Sequence, residues 1–234
     1  MPQEGAFNDS LSALSQFFVG DKTMQQTLDR VAGVTAVALP KAELVGITMM
    51  TNGRLQTAVF TDPASPEIDQ AQYDSRSGPC LDAFRTGDIH RIDAMESERR
   101  WPEFREACLE HGVLSTLSLP LSVEEQTYGA LNLYAKTEHA FDSPDTETAC
   151  LFASQAAIVL ANATAYWSAR AKAEQLEAAL ASRAVIEQAK GIIISTMRCT
   201  ADEAFGILTK QSQQQNRKLR EIATEIVTFA GRRP

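Results

Sequence analysis

The sequence predicts an α+β chain, an antiparallel sheet with helices around it followed by a wholly helical C-terminal part. Three observations predict it. Up to Ala135, apolar stretches of strand length are separated by short polar turns. From Pro144 to Thr196 no further proline occurs, and no glycine before Gly191. Charge is also divided: residues 183–234 carry nine basic and five acidic residues, a net of +4, which leaves −12 of the total −8 for residues 1–182. Such asymmetry suits two parts with different partners.

Length and composition bound the answer. A chain of 234 residues is comfortable for two domains, and 44% hydrophobic with 22% charged residues is globular composition. No uninterrupted apolar run approaches the roughly 18 residues of a membrane helix. The N-terminal MPQEGAFNDS lacks the basic and apolar regions of a secretory signal. Cys80, Cys108, Cys150 and Cys199 are scattered, with no CxxC pair and no histidines in metal-ligand register. The expectation is a reduced cytoplasmic protein, with no membrane partner, no metal and no cofactor.

In chain order, residues 8–39 suit helices, with Leu11, Leu14, Phe17 and Phe18, then Leu28, Val31, Val34 and Val37 at helical spacing. LVGITMM and LQTAVF within 44–60 read as strands around Thr51-Asn52-Gly53-Arg54, where Asn-Gly supplies the positive φ of a hairpin turn. Residues 101–111 are helical. Ser115–Val123 and Tyr128–Ala135 are strands joined by Glu124-Glu125-Gln126.

SGPC at 77–80, WPEF at 101–104, LSLPL at 117–121, GALNLY at 129–134 and the Phe-Asp of FDSPD at 141–145 resemble, in order and spacing, GAF domains over residues 8–160. That resemblance implies a PAS-like antiparallel sheet with helices on one face and a ligand pocket on the other, and a sensing role with an unknown small-molecule ligand. Cyclic-nucleotide GAF domains share a spaced Asn-Lys, Phe, Asp-Glu pattern. Here it reads Ala135-Lys136, Phe141 and Asp145-Thr146, without the Asn and the Glu. Cys80 after Gly78-Pro79 is a candidate bilin-attachment or redox cysteine, beside the plainer reading of a buried thiol. His90, His111 and His139 are far apart and read as ordinary residues. Some GAF folds reduce free methionine sulfoxide with paired cysteines, so an enzyme using Cys80 and Cys108 is the rival reading, against the expectation of no catalytic residues.

Pro144 follows the cap-like Asp142-Ser143, and Asp145 and Glu147 occupy the next turn, as a helix start prefers. A helix of about 50 residues from there would run roughly 75 Å. Phe152, Ala156, Val159, Ala163 and Tyr166 form one stripe, which Leu176 and Leu180 continue; two helices broken near 166–175 are the alternative. A helix this long cannot bury itself on one small domain, so it predicts a homodimer through a connector at 161–182.

The last part reads as three helices: Arg183–Ser195, a second opened by the capping box Thr200-Ala201-Asp202-Glu203, and a third capped by Asn216. Ala204, Phe205, Ile207 and Leu208 are expected in the core, as is Phe229. The third helix carries the stripe Leu219, Ile222, Ala223, Ile226, Val227 and Ala230. Arg217, Lys218 and Arg220 then fall in its first turn, where the macrodipole disfavours cations; free N–H groups beside cations make a phosphate site. Ile186-Glu187-Gln188-Ala189-Lys190-Gly191-Ile192, Asp202-Glu203-Ala204-Phe205, Leu208, Ser212, Asn216, Lys218-Leu219 and Ala223 resemble the ANTAR domain over 183–231. This implies a three-helix antitermination output that binds paired RNA hairpins near terminators. By position the RNA contacts are Gln188, Lys190, Ser212, Asn216, Arg217, Lys218 and Arg220, with Gly191 allowing close packing or backbone approach. The last rival is a protein-interaction module whose basic helix meets an acidic partner.

Overall fold

The computed structural model describes residues 23–51 and 54–231. The helix signal over Leu11–Phe18, the Asn52-Gly53 turn and Arg232 and Arg233 lie outside the described residues. The chain divides into two compact units, Met1–Trp167 and Ser168–Pro234.

In the first unit α1 (Met24–Ala38) opens with a capping box at Thr23, whose Oγ1 accepts from the Gln26 N–H at 3.2 Å while the Gln26 side chain accepts from the Thr23 N–H at 2.9 Å. Then come β1 (Leu44–Thr51), β2 (Arg54–Phe60), α2 (Ala64–Ser75), α3 (Pro79–Thr86), β3 (His90–Ile92), a 3₁₀ turn at Met95–Ser97, α4 (Pro102–Glu110), β4 (Ser115–Val123) and β5 (Gln126–Ala135). The strands form an antiparallel sheet in the order β2-β1-β5-β4-β3.

Strand alternation divides the core. Val45, Ile47 and Met49, Leu117, Leu119 and Leu121, and Leu131, Leu133 and Ala135 face α1 and the start of α5 (Ser143–Met197), which contributes Phe152, Ala156, Val159 and Leu160. Leu44 and Tyr134 face the other way, into a cluster with Ile68, Trp101, Phe104 and Cys108. Helices therefore cover both faces, including the one expected to hold a pocket. The elements α2, α3 and β3 are additional to those the sequence predicts. α2 buries Ser65, Asp69 and Gln72 beside Ile68, so its inward face is polar and carries no apolar periodicity.

Asp142 Oδ1 caps α5, accepting from the Asp145 N–H at 3.0 Å. The helix is unbroken for 55 residues, so the two-helix alternative does not hold. Of the stripe assigned to Phe152, Ala156, Val159, Ala163 and Tyr166, the first four are buried within the first unit, whereas Tyr166 is exposed and Leu176 and Leu180 are exposed and do not continue it. One 18-residue window of α5 has the composition of a membrane span at mean hydropathy 1.4, and 44% of it is buried within the protein.

The second unit packs the end of α5 against α6 (Ala201–Gln215) and α7 (Leu219–Ala230) around Ala189, Ile193, Ala204, Leu208, Ile222 and Ala223. The Thr200–Glu203 capping box is present as expected. Phe205 and Phe229 are not core residues: they are 46% and 67% exposed. Phe205 lies about 100° around the helix from Ala204, whose i+4 partner Leu208 completes the buried line.

Candidate functional site

Five of the seven predicted contact residues meet at the turn between α6 and α7. Asn216 does not cap α7. It takes the left-handed conformation (φ 49°, ψ 41°) and closes α6, its N–H donating to the Gln213 carbonyl at 3.3 Å. Ser212 ties the turn twice: its Oγ donates to the Arg217 carbonyl at 2.5 Å, and its carbonyl accepts from the Arg217 N–H at 3.1 Å. The chain then runs extended through Lys218, the N-cap residue, and α7 begins at Leu219. Arg217 and Lys218 thus precede the helix, and of the three cations only Arg220 stands in its first turn.

The cations differ in what holds them. Arg217 donates to Glu225 at 2.8 Å and to Gln215 at 3.1 Å, and lies 3.7 Å from Glu221; the Glu225 bond keeps its guanidinium firmly charged. Lys218 and Arg220 are exposed and form no ion pair among the described residues. Lys190 is only 17% exposed at its side chain and is paired with Glu187 at 3.0 Å. Gln188 is exposed and borders a shallow groove with Gly191, Ser195 and Val227. Positions two apart on a helix point about 200° apart, so Gln188 and Lys190 do not present one face. A Cβ on Gly191 would meet no atom within 4 Å, so this glycine is not required for packing inside the chain.

The first unit holds a buried polar network on the α2 side of the sheet. Asp69 accepts from Tyr134 at 2.5 Å, Gln72 at 3.0 Å and Thr57 at 2.6 Å. Since the Thr57 hydroxyl donates to Asp69, it accepts from Tyr73 at 2.9 Å; Tyr73 in turn accepts from Thr48 at 3.0 Å. Thr48 Oγ1 then accepts from the Cys80 thiol and the Asn132 amide, each at 3.2 Å. Burial pushes the Asp69 carboxyl up to about 6, against the hydrogen bonds from Thr57, Tyr134 and Gln72 that lower it.

The motif residues serve this frame. A Cβ on Gly78 would lie 2.2 Å from Gln72 Oε1, the atom that accepts the Cys80 N–H at 2.9 Å. Gly129 lets β5 approach β1: its Cβ would lie 2.2 Å from the Thr48 carbonyl oxygen. Trp101 donates to Asp82 at 2.9 Å, and Phe141 is buried in the sheet–α5 core. Lys136 is exposed and Asp145 is paired with Lys41 at 2.6 Å, so Lys136, Phe141 and Asp145 do not form one pocket. Cys80 is buried and pushed up to about 12 by burial and by the Asp69 charge, and burial also raises the Cys108 thiol. Neither is poised as a thiolate nucleophile. His90 packs edge-on against Trp101 at 5.5 Å and His111 faces Glu67 at 3.3 Å.

This sheet, with its helices and polar inner face, is a GAF fold, and the comparisons agree. The GAF domain model matches residues 21–161 and the ANTAR domain model matches residues 174–227. A domain of a putative two-component sensor histidine kinase from Sinorhizobium meliloti 1021 is similar at TM-score 0.53 and 14% identity, over 64% of this chain and 99% of that one. The GAF domain of an Acinetobacter phosphoenolpyruvate-protein phosphotransferase is similar at TM-score 0.53 and 14% identity, over 70% and 95%. A free methionine-R-sulfoxide reductase from Neisseria meningitidis is similar at TM-score 0.52 and 14% identity, over 70% and 91%. At these identities the likeness is one of fold. No curated protein matches the chain. The chain belongs to the GAF domain family. With the ANTAR domain behind its GAF domain it is a GAF–ANTAR regulator: a domain of a sensor family joined to a domain of an RNA-binding antitermination family.

Proposed function

We propose that the output module binds paired RNA hairpins near transcription terminators and holds the terminator open, under control of a small-molecule signal received by the GAF domain. The observation that carries this is the α6–α7 turn, where Lys218 and Arg220 stand exposed without ion pairs among the described residues, beside the start of α7 and inside the segment matching the ANTAR model. Lysines and arginines take phosphates there. Gln188, on a separate face, reads loop bases or sugars. Ser212 and Asn216 shape the turn that presents the cations.

The working protein is a cytoplasmic homodimer paired through α5. Leu151, Ile158, Leu176 and Leu180 are all exposed. On an ideal helix they fall within about 40° of one another, a seam distinct from the stripe that packs on the sheet. The boundaries are a sensor at 8–160, a connector at 161–182 and an output at 183–231. Pairing places two outputs at once on a two-hairpin RNA, which raises effective concentration without new contacts.

A mobility shift with a terminator-proximal hairpin pair tests the reading. Lys218→Ala and Arg220→Ala are expected to lower affinity and flatten its salt dependence. Hairpin binding that survives both changes with no salt slope removes this surface. Equal binding to an acidic protein partner and none to RNA removes the reading altogether.

A further inference from the structure

We propose that a groove at the β2 edge of the GAF unit binds a small phosphorylated metabolite, held by Arg54, Arg76 and Arg85. This rests on the sensor reading and supplies the chemical class of its ligand. The groove lies between the end of β1, β2, α2, the turn after α2, and α3, with a volume of about 830 Å³. That suits a nucleotide-sized molecule, since small-molecule sites run roughly 300–1,000 Å³. It shares no lining residue with the buried cluster of Cys80, Ala83 and Ala130.

Its charge is out of character with its surroundings. Residues 1–182 hold 25 acidic and 13 basic residues, yet three arginines converge here on one recess. One carboxylate, Asp74, shares the lining and already accepts from Gln70 at 2.7 Å. Arg85 is braced: it donates to the Arg76 carbonyl at 3.2 Å and lies 3.5 Å from Asp82. Arg54 and Arg76 are exposed with no ion pair among the described residues. Planar guanidinium groups with unused donors match phosphate oxygens in pairs. Met50, Leu55 and Leu81 add an apolar wall for the body of the ligand.

The groove also reaches the buried network. Thr57 and Tyr73 line it, and they are the two hydroxyls through which Thr48 connects to Asp69. A ligand oxygen that takes the Tyr73 proton withdraws it from Thr57. Occupancy at the sheet edge is thereby felt at Asp69, in the middle of the unit.

Isothermal titration of the full-length protein at low salt tests this with three probes: ATP, tripolyphosphate and adenosine. Expected are saturable binding of ATP and tripolyphosphate at one site per chain, and none of adenosine. Arg54→Ala combined with Arg76→Asn weakens both by at least about tenfold, as expected when two charge-assisted contacts go. Asn is chosen because Arg76 sits at φ 57°, which asparagine tolerates. Arg217→Ala with Arg220→Ala, on the output, leaves anion binding unchanged. The proposal is overturned by no saturable binding of either anion up to millimolar concentration. It is equally overturned if binding is unmoved by the groove variants, or lost in the output variants, or matched by adenosine. A melting curve confirms that each variant is folded. The hairpin mobility shift runs in parallel: RNA binding without anion binding sinks the groove and spares the regulator reading, and the reverse result does the opposite.

Discussion

In the GAF unit both faces of a five-stranded sheet are covered, and a chain of hydrogen-bonded polar groups from Asn132 to Asp69 lies inside. In the ANTAR unit the fully buried set is Ala189, Ile193, Ala204, Leu208, Ile222 and Ala223, three of them alanines, while Phe205, Phe229 and Met197 stand exposed. The larger apolar residues around it, among them Ile186, Ile194, Ile207, Leu219, Ile226 and Val227, are only partly buried, and small domains of this kind are marginal. The sensor is built to stay folded around a polar interior, and the output to hold a shape with little in reserve. The output's order is therefore the easier of the two to perturb.

The largest effect should break that comparison at its weak side. Leu208 is fully buried, and Leu208→Ala costs about 2–5 kcal/mol. The expected outcome is loss of the C-terminal thermal transition and of hairpin binding, with the GAF transition unmoved. A single transition shifted as a whole would show instead that the two units fold as one.

The polar interior of the sensor is next. The folded Asp69 carboxyl, at about 6, holds its proton more tightly than the ordinary 3.8, so its contribution to stability is full below about pH 4 and is lost as pH rises through 6. The span corresponds to roughly 3 kcal/mol at most. Asp69→Asn keeps the acceptor for Tyr134 and Gln72, and denaturant melts of this variant should be flat between pH 4 and 6. A wild-type protein equally flat over that window would mean that the carboxylate is fully compensated by Thr57, Tyr134 and Gln72.

Gly129→Ala puts a methyl 2.2 Å from the Thr48 carbonyl, a clash with backbone that costs about 1–3 kcal/mol and lowers only the GAF transition. Smallest of all should be the cations of the output. Removal of Lys218 or Arg220 lowers RNA affinity modestly and reduces the salt slope by about 0.7–0.9 for each phosphate contact. Both should exceed Arg217→Ala, because Arg217 already spends donors on Glu225 and Gln215. The reverse order would place the phosphate under Arg217.

Much of this was legible in the sequence. Strand β4 was bounded correctly and β5 began two residues earlier than read, because alternating apolar residues such as Leu117, Leu119 and Leu121 are a local signal. The Thr200–Glu203 capping box and the length of α5 are local too. α2 carries no apolar periodicity because most of its buried residues are polar: Asp69 and Gln72 look like surface positions until Thr57 and Tyr134 come to meet them. α3 buries Pro79, Cys80, Leu81 and Ala83, but at eight residues it is too short to show a helical repeat. In the candidate RNA surface the residue types were readable but their employment was not. Lys190 and Arg217 are tied to carboxylates, and Asn216 closes one helix where it was read as opening the next.

The sequence by itself determined the two-domain order, the α+β class, the family of each part and the basic character of the last one, since all of these reside in periodicity, motifs and charge along the chain. Tertiary structure alone decided which polar residues are interior, which cations remain unpaired, and that three arginines far apart along the chain meet at one groove. Those outcomes depend on distances between residues remote in sequence. Burial and pairing reverse the meaning of a charged side chain without altering the local pattern in which it is written.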